Sequence, residues 1–314
     1  MSVEYNARTY IGNKLLKLIS GMSMDWYYIS KNPNITWEIV KAHPELPWCY
    51  DGLSQNKNIT WEIVKSHSDL PWDWDYLSKN PNITWDIVEA NPRRPWEWQW
   101  LSRNPNITWE MVEANPEKPW NWWSLSINPN ITWEIVKANL EKPWNWKQFS
   151  INPNITWEIV KAHPELPWCY DGLSQNKNIT WEIVKNNQKT FWEWLLCIPT
   201  KQWNYNLLSI HPNITWEIVQ ANLEQAWDLE WLSHNPNITM EIVEANPTKP
   251  WFWCGLSKNP NITFKFIQEN SYKIYSIDWY HSLSENSFQL EYTTRLEQQK
   301  RRYKLIINRK LQAI

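Results

Sequence analysis

The heptapeptide Asn34-Ile35-Thr36-Trp37-Glu38-Ile39-Val40 constrains this chain more than any other feature, because near copies of it return at a fixed interval. Its first isoleucine recurs as Ile59, Ile83, Ile107, Ile131, Ile155 and Ile179, each 24 residues after the last, and the step resumes with Ile214, Ile238 and Ile262. One gap, from Ile179 to Ile214, is 35 residues: a full period and 11 more. Such a period restricts the chain to stacked supersecondary units, each burying its apolar face only against its neighbours. The expected fold class is all-α, a right-handed or superhelical α-solenoid of 24-residue two-helix repeats with helical caps. A lone unit buries too little apolar surface to offset the entropy of ordering its chain, so it is expected to be unfolded by itself.

Residues 106–129 illustrate the unit. Thr108 has the side chain of a helix N-cap, Trp109 to Asn115 follow, and Pro116 stops the helix; this is helix A. Ile107 and Val112 are spaced for a hydrophobic staple. The same reasoning makes N-caps of Thr36, Thr60, Thr84, Thr132, Thr156, Thr180, Thr215, Thr239 and Thr263. Pro119 fits the first position of helix B, which continues through Trp120 to Ser126.

Comparing the copies separates fixed from free positions. The helix A aromatic is Trp37, Trp61, Trp85, Trp109, Trp133, Trp157, Trp181 and Trp216, giving way only to Met240 and Phe264, so bulk and apolarity are kept and the position is core. Four residues on, Lys41, Lys65, Glu89, Glu113, Lys137, Lys161, Lys185, Gln220 and Glu244 reverse charge freely, which marks a face in water. With 29 Trp and only 5 Gly in 314 residues, aromatic packing must supply most of the buried surface.

The expected organisation is a helical cap and half repeat at 1–31, with an amphipathic helix over 11–20. Seven regular repeats follow at 32–190, an inserted second copy of helix B at 191–202, three further repeats at 203–270, and a degenerate repeat with a basic capping helix at 271–314. The insertion predicts a break in the superhelix. Residues 32–65 are identical to 152–185, five periods away, which points to growth by recombination and to an array whose chemistry depends on no single residue.

Composition excludes several function classes. Cys49, Cys169, Cys197 and Cys254 lack metal-ligand or disulfide-framework spacing, and no stretch is apolar for long enough to span a membrane. His43, His67 and His163 end helix A where other copies have Asn, so a C-cap role is expected of them rather than metal or catalysis. With no Gly-rich phosphate loop and no nucleophile–base set, no enzyme, cofactor or metal is expected. Each Asn-Ile-Thr is formally a glycosylation acceptor, but the spacing tracks the helix start, so a turn and a cap are expected instead. Residues 292–314 carry a local net charge of +6, leaving −8 on the rest of a chain whose net charge is −2. An acidic array opposes a phosphate backbone along its length, so nucleic acid is expected, if anywhere, at the basic end. Arg295, Lys300, Arg301, Arg302 and Lys304 are accordingly the candidate partner-binding tail.

Units of the form NPNITWEIVKANPEKPWNWWSLSINPNIT resemble the tryptophan-rich tandem-repeat proteins of giant DNA viruses of amoebae, over roughly residues 24–283. The resemblance implies a viral product made inside an infected cell, in the host cytoplasm, and carries no catalytic residue with it; the N-terminal residues have no uninterrupted apolar core of the signal-peptide kind, so the protein is not expected to be secreted. The expected function is a non-enzymatic scaffold that binds one or more proteins through its variable surface. A single-stranded nucleic-acid or glycan binder using an exposed Trp/Asn ladder, and a structural virion or assembly component, are the alternatives.

Overall fold

A computed structural model describes residues 3–20, 25–187, 202–270, 283 and 285–312. Every regular element among them is a helix, and the helices alternate as the repeat demands. Helix A is six residues long, as in Trp109–Ala114 and Trp133–Ala138, and helix B is equally short in Trp122–Ile127 and Trp146–Ile151. The protein is thus a helical tandem-repeat solenoid.

Local chemistry shapes each unit. Asn104-Pro105-Asn106-Ile107 closes a β-turn, with Ile107 N–H on the Asn104 carbonyl at 3.0 Å and Asn106 N–H on the Asn104 side-chain oxygen at 2.9 Å. Proline at the second position and asparagine at the first each suit that turn. The threonines that follow all have the extended backbone of an N-cap, but their hydroxyls differ in use. Thr132, Thr180, Thr215, Thr239 and Thr263 accept the third helical N–H, whereas Thr36, Thr60, Thr84, Thr108 and Thr156 make no such bond. Hydrogen bonds from the Thr108, Thr215 and Thr239 hydroxyls, then from their own backbone N–H groups, hold Glu110, Glu217 and Glu241 below the usual carboxylate range.

Helix B begins later than the proline suggests. Asn121 is its N-cap, accepting Ser124 N–H at 2.9 Å, and Pro119 lies in the connection. There Trp120 N–H reaches the Lys118 carbonyl at 2.8 Å, a three-residue turn that wants the φ proline already has. The same short bond recurs before Trp72, Trp96 and Trp144.

The described chain falls into two units, Met1–Asp73 with Thr239–Ile314, and Trp74–Ile238. In the first unit the two ends of the chain meet. The N-terminal helix is Val3–Ile19, longer than expected, because Ala7, Ile11, Leu15 and Ile19 form one buried stripe at four-residue spacing. Gly12 lets it come close: a Cβ there would lie 2.2 Å from the Asn34 carbonyl oxygen. The helix also packs against the C-terminal helix Gln289–Gln312, with Arg8 over the Tyr292 ring at 4.3 Å and Lys14 to Glu291 at 3.2 Å. The two expected caps therefore cover each other.

The second unit holds the insertion. Most of 191–202, where the sequence predicts an extra helix B and a break, lies outside the described residues. On either side of it, stacking continues as between ordinary neighbours. Trp203 donates to the Asn187 carbonyl, at 3.1 Å, and Asn204 N–H reaches the Ser174 hydroxyl at 3.0 Å.

Candidate interaction surface

Which groups are free for a partner depends on which are already used inside, and the buried set has two components. The first is aromatic. Trp72, Trp96, Trp120 and Trp144, which open the segment leading into helix B, are 7–8% exposed, and each donates its indole N–H to the carbonyl that ends the preceding helix A, as Trp144 does to Asn139 at 2.7 Å. Each ring also meets aromatics of the previous repeat: Trp144 lies 5.9 Å from Trp109 and 5.0 Å, edge-on, from Trp122. Of the expected core positions, Trp37, Trp85, Trp133, Trp157, Trp181 and Trp216 are buried, while Trp61 and Trp109 are half-buried.

The second component is polar, and the sequence reading did not find it. Asn128 is fully buried, and its side-chain amide donates to the carbonyls of Ser102 at 2.9 Å, Asn104 at 3.1 Å and Ile107 at 3.4 Å, all in the previous repeat. Asn56, Asn152, Asn176 and Asn235 repeat the pattern. Ser126 adds a second rung, accepting Asn145 N–H at 2.8 Å and donating to the Trp122 carbonyl at 2.7 Å. The ladder runs through the junction of the chain ends as well: Asn32 donates to the Asn286 carbonyl at 2.9 Å, and Asn34 to that of Ser287 at 2.8 Å. The degenerate last copy thus keeps its ladder asparagine, Asn286, hidden from the 24-residue count. Phe288 beside it stacks on Phe264 at 4.2 Å.

Once the ladder varies: His211 stands where the other copies have asparagine. It is 3% exposed, its Nε2 is 2.9 Å from the Asn176 carbonyl, and its Nδ1 accepts Asn213 N–H at 3.2 Å. Both bonds need the neutral Nε2–H tautomer. Burial pushes the imidazole pKa below its ordinary 6.5, partly offset by the bond to Asn176. The unfolded imidazole therefore takes up its proton first, so stability falls as pH drops through about 6.5 and goes on falling until the folded group is protonated. His211→Asn is expected to remove this acid-side loss, as read from urea midpoints at mildly acid and neutral pH. A midpoint that falls equally in both proteins would show that the imidazole is not responsible.

What remains outside is variable. The charge-reversing helix A positions from Lys41 to Glu244 are exposed throughout, as expected. A second exposed row is on helix B, reading Asp51, Asp75, Gln99, Trp123, Lys147, Asp171, Asn206 and Glu230 in successive copies. Trp123, 41% exposed, and Trp231, at 38%, stand out among the indoles of the described residues, which are otherwise largely covered.

The basic tail is only partly open. Arg295 lies over the Tyr10 ring at 4.2 Å, inside the junction of the chain ends, and Lys300 is 3.4 Å from Glu297. Arg301 is exposed; the side chains of Arg302 and Lys304 lie outside the described residues. His43, His67 and His163 occupy the C-cap of helix A. Among the described residues no cluster of His, Cys, Asp or Glu could hold a metal ion, and no helix is long and apolar enough to cross a membrane. Comparison with protein-family models, with curated proteins and with solved structures finds no match.

Proposed function

We propose that this protein is a non-enzymatic helical-repeat scaffold that binds other proteins through its exposed, copy-variable positions. The observation that carries the reading is the division within each repeat. The asparagine, serine, isoleucine and leucine positions are almost constant and buried, while the outward helix B position takes an acid, an amide, an indole or an amine from copy to copy. Fold and surface chemistry are thereby separated, as they are in repeat arrays that recognise proteins. The alternative of an open indole ladder for bases or sugars is less well supported, because most of the rings are used in packing between repeats. A viral origin remains part of the proposal through the NPNITWEIV-type resemblance.

The test is cross-linking mass spectrometry on the protein captured from cells that express it. A reproducible partner, cross-linked to the exposed helix B row or to the loops between helices A and B, is the expected result. Repeated captures that return no protein above background would overturn it.

A further inference from the structure

We propose that the groove between Trp85 and Lys118 docks an acidic peptide segment with apolar flanks; this rests on the scaffold reading and gives it a location. The groove encloses about 370 Å³. Its floor is Trp85, Trp96 and Trp98, and its rim carries Arg94 and Lys118 on the loop side and Glu89 on the helix side.

Comparison of the copies shows what is unusual here. The residue at the position of Arg93 is Glu45, Asp69, Glu117, Glu141, Glu165 and Glu224 in six other copies. In two of those copies the acid neutralises a lysine of its own loop, with Glu117 3.2 Å from Lys118 and Glu141 3.8 Å from Lys142, and in a third Glu45 lies 3.3 Å from the His43 ring. In this copy the acid is replaced by Arg93, next to Arg94, both exposed and neither ion-paired with a carboxylate among the described residues. The loop changes from self-neutralised to doubly positive. Arg94 lies over the Trp74 ring at 4.7 Å, a contact that leaves guanidinium N–H groups for an incoming carboxylate.

A carboxylate over Arg94, with apolar side chains against the indoles, matches the charge and chemistry of this groove. A continuous phosphate backbone does not, since Glu89 and Glu113 are exposed on successive A helices beside it.

Fluorescence anisotropy of the full chain tests this with three labelled probes: a short peptide alternating aspartate and leucine, its lysine–leucine counterpart, and an oligothymidylate. The aspartate peptide should bind, more weakly as salt rises. Arg93→Glu with Arg94→Lys recreates the Glu117–Lys118 pair, so it should keep the thermal melt while loosening the peptide about tenfold or more. Should that variant melt lower, Arg93→Gln and the salt series on the unaltered chain decide the question. Unchanged affinity in the variants, equal binding of the lysine peptide, or preference for the oligonucleotide would each overturn the groove. A captured partner retained by the double variant would sink the groove and leave the scaffold reading standing; peptide binding without any captured partner would do the reverse.

Discussion

Replacing Asn128 with alanine is expected to lower stability by about 3–5 kcal/mol, more than most polar-to-alanine changes. The amide donates to three carbonyls of the preceding repeat, and its oxygen accepts Asn130 N–H at 2.8 Å. Alanine takes away all four bonds: the Ser102 carbonyl and Asn130 N–H lose the partner they have here, while the Asn104 and Ile107 carbonyls keep one donor each, from Ile107 N–H and the Asn130 amide, and each group left unsatisfied costs about 1–3 kcal/mol. Asn130 is the internal control. It also donates backward, to Pro105 at 2.7 Å and Ile107 at 2.8 Å, but from the edge of the stack, where water can replace it. Asn130→Ala is therefore expected to cost only about 1 kcal/mol. Because stability in such an array is close to a sum over neighbours, Asn128→Ala should also broaden the urea transition as the repeats on its two sides uncouple. Equal losses from the two substitutions would mean that the ladder is not what joins the repeats.

Trp144→Ala should have an effect of similar size, about 3–5 kcal/mol, from a different cause. The ring is 7% exposed, touches Trp109 and Trp122 of the previous repeat, and uses its N–H on the Asn139 carbonyl. Removing it opens a large cavity at a repeat interface and takes one of two donors from that carbonyl, which keeps Lys142 N–H at 3.1 Å. Trp144→Phe keeps an aromatic ring but not the donor, so it should recover a substantial part of the loss. Trp123, 41% exposed on helix B, is the contrast, and Trp123→Ala is expected to fall within about 0.5 kcal/mol of the unaltered protein. Denaturant unfolding of the three variants would separate tryptophans used for folding from one available to a partner. A large loss for Trp123→Ala would remove it from the binding surface.

Several features of this molecule could be read along the chain because their causes lie within a few residues of each other. Threonine, tryptophan, glutamate and the apolar spacing that follows define helix A locally, and Pro116 ends it, so its place was legible. Pro119 misled because the same fixed φ serves a helix start and a three-residue turn equally well. The choice was made by the Trp120 indole reaching back to Asn115, at 2.8 Å, and by the Asn121 cap. Asn128 is in every way a turn residue when seen locally, and it does make that turn. That its amide also holds three carbonyls of the previous copy is invisible in its own neighbourhood.

The sequence alone determined the period, the two-helix unit, the tryptophan core and the outward charge-reversing row, since these follow from spacing that repeats every turn of helix or every 24 residues. Only the tertiary structure decided how copies are joined: asparagine and serine rungs between repeats, Trp203 bonded to Asn187 across the insertion, Asn286 bonded to Asn32 at the meeting of the chain ends. Such contacts link residues from 16 to 254 positions apart. Their register is fixed by packing of whole repeats and not by any preference the intervening residues express.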